Sequence, residues 1–230
     1  MCTRSNVVEQ LADFIVAVVL AHPVRVAIDG VDAAGKTMLA NELTPLIEAR
    51  GRPAIRASAD GFHNPRVIRY QRGADSPEGY YLDSFDYQAI RDRLLIPLGP
   101  DGNRKYLRAV FDYRADAPTH EPTRESHQDA ILLFDGIFLL RPELNDCWDF
   151  RIFVNVDFAV SVERAVARDA QRNPEYSTDE LRAQYARRYV PGQSIYLQTV
   201  RPLELADVVI DNNDLAQPRF TAHELTVTHD

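Results

Sequence analysis

Two apolar patterns alternate along the chain. Continuous apolar runs over residues 24–29, 53–58, 130–136, 150–156 and 207–211 predict short strands. The runs at 130–136 and 150–156 lack polar alternation, as strands buried on both faces of a parallel sheet do. Helical spacing fills the intervals. Val7, Leu11, Phe14, Ile15 and Val18 recur on one face of a first helix that Ser5 or Asn6 can cap. Further helices are predicted from Met38 to about Arg50, where Gly51 is a stop, and over 84–95, 158–169 and 178–189, with a polar break at Asn173-Pro174-Glu175. Residues 61–83 show no clear period and read as a long ordered loop with one helical turn near Val67 and Ile68. A turn at 99–102 leads to a hairpin strand over 105–111 that stands outside the main sheet. Strands alternating with helices predict a three-layer α/β fold with a mostly parallel central sheet, whose ligands gather at the carboxyl ends of the strands. A single domain over 1–230 is expected.

The first strand runs into Gly30-Val31-Asp32-Ala33-Ala34-Gly35-Lys36-Thr37, which fits G-x-x-x-x-G-K-[ST] in the strand-loop-helix context that this phosphate loop requires. Its glycines let successive N–H groups turn toward phosphate oxygens, and the following helix aims its positive end at the same place. Lys36 supplies a cation for the outer phosphates and Thr37 a hydroxyl for Mg²⁺. Gly30, Asp32, Ala33, Ala34, Gly35, Lys36, Thr37 and Met38 are therefore assigned to a nucleoside triphosphate, with Asp32 expected to face away from the phosphates or to contact a base or a metal-bound water.

Composition narrows the partners. With 45% hydrophobic and 26% charged residues the chain is an ordinary globular one, and its net charge of −8 argues against nucleic acid, whose backbone selects basic surfaces. The apolar run 14–21 is too short for a membrane span, and Glu9 and Asp13 interrupt any signal-peptide core. Cys2 and Cys147 form neither a metal-ligand spacing nor a disulfide framework, so both are read as structural and the cytoplasm is the default compartment. A homo-oligomer is left open.

A phosphate loop needs a second acid to organise its metal, and Asp135, closing the apolar run 131–134, is the natural candidate for direct or water-mediated Mg²⁺ binding. Transfer to an alcohol needs a carboxylate beside the acceptor hydroxyl. Asp60, at the end of the second strand, is a candidate, balanced by its reading as a turn residue beside Gly61. Asp83 and Asp86 could serve similarly or cap the helix that starts there. Arg164, Arg168 and Arg172 recur every four residues, forming either a solvated stripe or a lid that closes over transferring phosphates, the latter favoured for Arg168.

Together with the loop, Ser58-Ala59-Asp60-Gly61-Phe62, Ser76-Pro77-Glu78-Gly79-Tyr80-Tyr81 leading into Asp83-Ser84-Phe85-Asp86, the strand ending Phe134-Asp135-Gly136, residues 164–169 and Ala206-Asp207-Val208-Val209-Ile210-Asp211-Asn212 resemble, in the same order, the uridine kinase-like family of P-loop kinases, which includes pantothenate kinase and phosphoribulokinase relatives. The resemblance implies a P-loop NTPase fold with a helical lid over about 164–185 and an acceptor-site insertion over about 61–120 that carries a small β-hairpin. It implies ATP and Mg²⁺ as cofactors and a small acceptor with a hydroxyl, most readily a nucleoside. Asp60 becomes the catalytic base, Lys36 and Arg168 join it in catalysis, and His63, Tyr81, Asp83, Phe111 and Asp116 face the acceptor. Three departures stand out. Asp135 occupies a position where uridine kinases usually carry Glu, and Asp116 falls where a base-reading histidine is expected, so pyrimidine specificity is not carried over. The last lid arginine is out of register by one residue, leaving Arg172 or Asn173 at that point. A non-nucleoside acceptor, such as pantothenate or a sugar phosphate, and a nucleotide-binding regulatory module are the alternatives; no guanine-reading Asn-Lys-x-Asp motif is present.

Overall fold

In the computed structural model, which describes residues 3–222, the apolar runs assemble into one six-stranded sheet. In chain order the elements that position the site are α1 (Arg4–Ala17), β1 (Val24–Gly30), α2 (Lys36–Ala49), β2 (Ala54–Ser58), α3 (Pro77–Asp83), β3 (Ile131–Asp135), β4 (Phe150–Asn155), α4 (Phe158–Arg172), α5 (Thr178–Gln184), α6 (Val190–Val200), β5 (Val208–Asp211) and β6 (Arg219–Ala222). The strand order is β6-β5-β4-β1-β3-β2, and every pair is parallel except β5 with β6. The fold is thus α/β with helices on both faces of a mostly parallel sheet. Because side chains alternate across a strand, Val26, Ile28 and Leu133 pack with Leu11, Ile15 and Leu43 on one face, while Ala27, Leu132 and Phe134 pack with Tyr80, Phe138 and Tyr196 on the other. A small third core of Ala165, Val166, Leu181 and Tyr185 joins α4 to the segment after it.

Several local expectations are corrected. Thr3, rather than Ser5 or Asn6, caps α1, its hydroxyl accepting from the Asn6 amide, and Val18 lies beyond the helix in extended backbone. The stretch 61–83 is more ordered than a loop with one turn. A tight turn at Ala59–Phe62 and a helical turn at Arg66–Arg69 precede α3, which begins where Ser76 caps the Gly79 amide and Pro77 takes the first helical position. The next helix starts at Tyr87, not Ser84, because Asp86 caps it through the Ala89 amide. The single strand expected over 105–111 is two minimal ladders, Lys105–Tyr106 with Arg124–Glu125 and Phe111–Asp112 with Ala117–Pro118. The helix expected to end near residue 189 instead widens into a π turn at Tyr185–Tyr189 and continues as α6, since Pro191 has no N–H to give to a preceding carbonyl. Edge strand β6, paired antiparallel with β5, has no counterpart among the predicted strands. Cys147 is buried and free, whereas Cys2 lies outside the described residues. No described helix is long and apolar enough to cross a membrane.

Candidate active site

The loop between β1 and α2 is shaped by its neighbours. Gly30 has a φ of +153°, and a Cβ there would lie 2.4 Å from the Val154 carbonyl oxygen of β4. Gly35 has a φ of +100°, and a Cβ would lie 2.7 Å from Asn212 Nδ2, which donates to the Ala34 carbonyl at 2.6 Å. Side chains at either glycine would thus displace the strand ends that hold the loop. Lys36 opens α2, and its ammonium donates to the Val31 carbonyl at 2.7 Å. Burial pulls the Lys36 pKa below its ordinary value, and the charges of Asp32, Asp29, Asp135 and Asp60 oppose that pull.

Thr37 and Asp135 meet, Oγ1 donating to Oδ2 at 2.6 Å. The other oxygen of Asp135 accepts from Arg56 Nη2 at 2.7 Å, and Arg56 also donates to the Leu133 carbonyl at 2.7 Å. Among the described residues no group of three His, Cys, Asp or Glu side chains is placed to hold a metal. The donor set present, one hydroxyl beside one carboxylate, suits a hard cation that takes its other ligands from phosphate and water.

Asp60 follows β2, whose register sets Ser58 beside Asp135. Its side chain is 69% exposed, and Oδ1 lies 3.8 Å from His63 Nε2. His63 stacks on Phe85 and leans on Tyr113, with Nδ1 3.0 Å from the Ser84 carbonyl. A carbonyl only accepts, so Nδ1 carries the proton and Nε2 faces Asp60 with its lone pair. Burial pushes the His63 pKa down, in keeping with a neutral ring.

The other expected acceptor residues are placed differently. Asp83 is buried and accepts from Arg72 Nε at 2.9 Å. Asp116 accepts from the Arg66 amide at 2.8 Å and from Arg69 Nη2 at 3.3 Å. Tyr81 lies in the core under the Arg141 guanidinium, and Phe111 is buried in its short ladder. On α4, Arg164 donates to the carbonyls of Asn212 and Asn213 at 3.0 and 2.7 Å, Arg168 pairs with Asp169 at 2.8 Å and reaches the Tyr185 hydroxyl, and Arg172 is exposed at the helix end. Met38 is half-exposed on α2.

Sequence reasoning misses Asp29, Gln193 and Arg56 as site residues, whereas Tyr80 and Asn212 at least fall in stretches that carry the family resemblance. Asp29 is wholly buried at the end of β1, where Oδ1 accepts from the Gly30 amide at 2.7 Å and Oδ2 from the Tyr196 hydroxyl. Burial pushes its carboxyl up from 3.8 to about 6, against the pull of these donors and of Lys36. The folded chain therefore binds this proton more tightly than the unfolded one, and stability falls as pH rises from 3.8 to about 6, then stays lowered. Asp29→Asn removes that dependence. In urea unfolding, its stability relative to the parent should rise by up to roughly 3 kcal/mol between pH 4 and pH 7. A difference that stays flat across the window would show that Asp29 titrates normally.

No protein-family model matches the chain. It is 25% identical over 206 residues to the uridine kinase of Streptococcus uberis, covering 82% of this chain and 86% of that protein. It is 26% identical over 209 residues to the uridine kinase of Streptococcus pyogenes serotype M5, covering 83% and 88%. Among solved structures, a possible uridine kinase from Bacillus stearothermophilus superposes with a TM-score of 0.69 at 23% identity, over 88% of this chain and 96% of that one. D-glycerate 3-kinase from Cryptococcus neoformans var. grubii serotype A superposes with a TM-score of 0.66 at 11% identity, over 94% and 99%. At such identities the two structural likenesses speak for the fold.

Proposed function

We propose that this chain, a uridine kinase-like P-loop kinase of a small molecule, transfers the γ-phosphoryl group of ATP to a hydroxyl of a nucleoside or a similar polyhydroxylated metabolite. One observation carries the reading. Exposed Asp60 stands at the carboxyl end of β2, beside the strand whose Asp135 holds Thr37 of the phosphate loop, so an acceptor hydroxyl at Asp60 lies next to the donor.

In this reading the loop amides and Lys36 would hold the β- and γ-phosphates, and Thr37 with Asp135 would hold Mg²⁺. Asp135, with both oxygens engaged by Thr37 and Arg56, would keep the Thr37 hydroxyl oriented toward the ion. The chemistry supplied by a bound Mg²⁺ would be neutralisation of the charge on the transferring phosphates. Asp60 orients the attacking hydroxyl and accepts its proton. Arg168, exchanging Asp169 for phosphate oxygens, closes over the site from the lid. Arg72 neutralises Asp83 and Arg69 neutralises Asp116, so neither acid is left to attract a cationic acceptor.

Asp116 supports a second reading. It falls where a base-reading histidine is expected, yet Arg66 and Arg69 occupy it, which favours a non-nucleoside alcohol. ADP release measured with uridine, cytidine, pantothenate, glycerate and a sugar phosphate separates the two. Saturable stimulation of at least about tenfold by a nucleoside supports the first reading, and stimulation by the other alcohols alone supports the second. ATP turnover that none of them stimulates points to a regulatory nucleotide-binding module.

A further inference from the structure

Asp32 is an acid inside a loop read as binding polyanionic phosphate, and its contacts explain how it is tolerated. Its amide donates to Gln193 Oε1 at 2.8 Å, and its Oδ2 accepts from the Tyr80 hydroxyl at 3.0 Å and from Gln193 Nε2 at 3.2 Å. Its carbonyl accepts from Ser161 Oγ at 2.7 Å. These partners sit on α3, α6 and the first turn of α4, so one residue ties the phosphate loop to three helices. The orientation of the Gln193 amide follows from this network, because Nε2 also donates to the Tyr189 carbonyl at 3.0 Å.

Helices α3 and α6 form one block behind Asp32. A Cβ on Gly192 would lie 2.8 Å from the Pro77 carbonyl and 2.9 Å from Tyr80 Cδ1, so the two helices meet almost backbone to backbone. Buried Arg188, just before α6, donates to the carbonyls of Arg69 and Ala74 at 3.1 and 2.7 Å, fastening the segment that leads into α3. The residue after Asp32, Ala33, has a φ of +52°, a left-handed conformation that a side chain disfavours and that its surroundings must hold.

We propose that Asp32 is a positioning residue that latches the phosphate loop to the α3–α6 block through Tyr80 and Gln193, and so sets nucleotide affinity without touching the nucleotide. This rests on the ATP reading of the loop. Because α3 lies within the acceptor-site insertion, the same latch passes displacements of that segment to the donor loop.

The test is calorimetric titration of the non-hydrolysable analogue AMP-PNP with Mg²⁺ into the parent chain, Tyr80→Phe, Asp32→Ala, Asp32→Asn and the Tyr80→Phe/Asp32→Ala double variant, each checked for an intact melting transition. Tyr80→Phe removes one hydroxyl and should weaken binding about tenfold, as the loss of a hydrogen bond to a charged group does. Asp32→Ala should weaken it at least as much, and the double variant no further, because the two act through one contact. Asp32→Asn keeps an oxygen for Tyr80 and should recover most of the affinity, a rescue that general loss of packing would not give. Parent-like affinity in both Tyr80→Phe and Asp32→Ala, or fully additive losses, overturns the latch while the ATP reading stands. No binding by the parent chain overturns the ATP reading, and the latch with it.

Discussion

Asp60→Asn should reduce turnover on the order of 10²–10⁴-fold, the range set by losing a general base, while leaving affinity for ATP nearly intact. The asparagine keeps the size of the side chain and its ability to orient a hydroxyl, but it cannot take up the proton. Asp60 is free to play this part because its carboxylate is 69% exposed at the end of β2 and unburdened by an arginine, unlike Asp83 and Asp116. Neutral His63 beside it can accept a hydrogen bond from a second hydroxyl but offers no competing positive charge. Single-turnover measurements with ATP and the best acceptor would resolve the effect as a fall in kcat. A variant that turns over within a few-fold of the parent would remove Asp60 from the role of base.

Lys36→Met should cost a further on the order of 10²–10³-fold in kcat/KM, the scale on which a preorganised charge facing the transition state acts. The accompanying effect on stability should be small or favourable. Burial outweighs the surrounding acids in setting the Lys36 pKa, so the fold disfavours the ammonium, and an apolar side chain of similar length relieves that cost. Thermal melting should therefore show a midpoint equal to or above the parent's. Loss of activity together with a large drop in the midpoint would mean that Lys36 is chiefly structural, held through its bond to the Val31 carbonyl. The opposed signs expected for activity and stability mark a residue kept for a ligand rather than for the fold.

Much of the scaffold is legible along the chain for a local reason. A strand buried on both faces must be apolar at every position, and the runs ending at Asp29 and Asp135 therefore announce β1 and β3 without any knowledge of their neighbours. Elements whose stability comes from partners are not legible in this way. Strand β6 is held by pairing with β5, and α6 runs past a proline that local propensity would treat as a stop. Helix α3 did carry its Ser76-Pro77 start signal, but seven residues with a glycine inside are too short for a clear period.

The strand-loop-helix from β1 to α2 and the acids at the ends of β2 and β3 are legible because each depends on spacing within a few residues, and the mostly parallel sheet because strands and helices alternate along the chain. Long-range packing sets what the chain's acids do. It pairs Asp135 with Thr37 and Arg56, neutralises Asp83 and Asp116 with arginines, buries Asp29 against Tyr196, and turns Asp32 toward Tyr80 and Gln193. A carboxylate's role is set by burial and by the donors around it, and here those donors come from as far as 167 residues away in the chain.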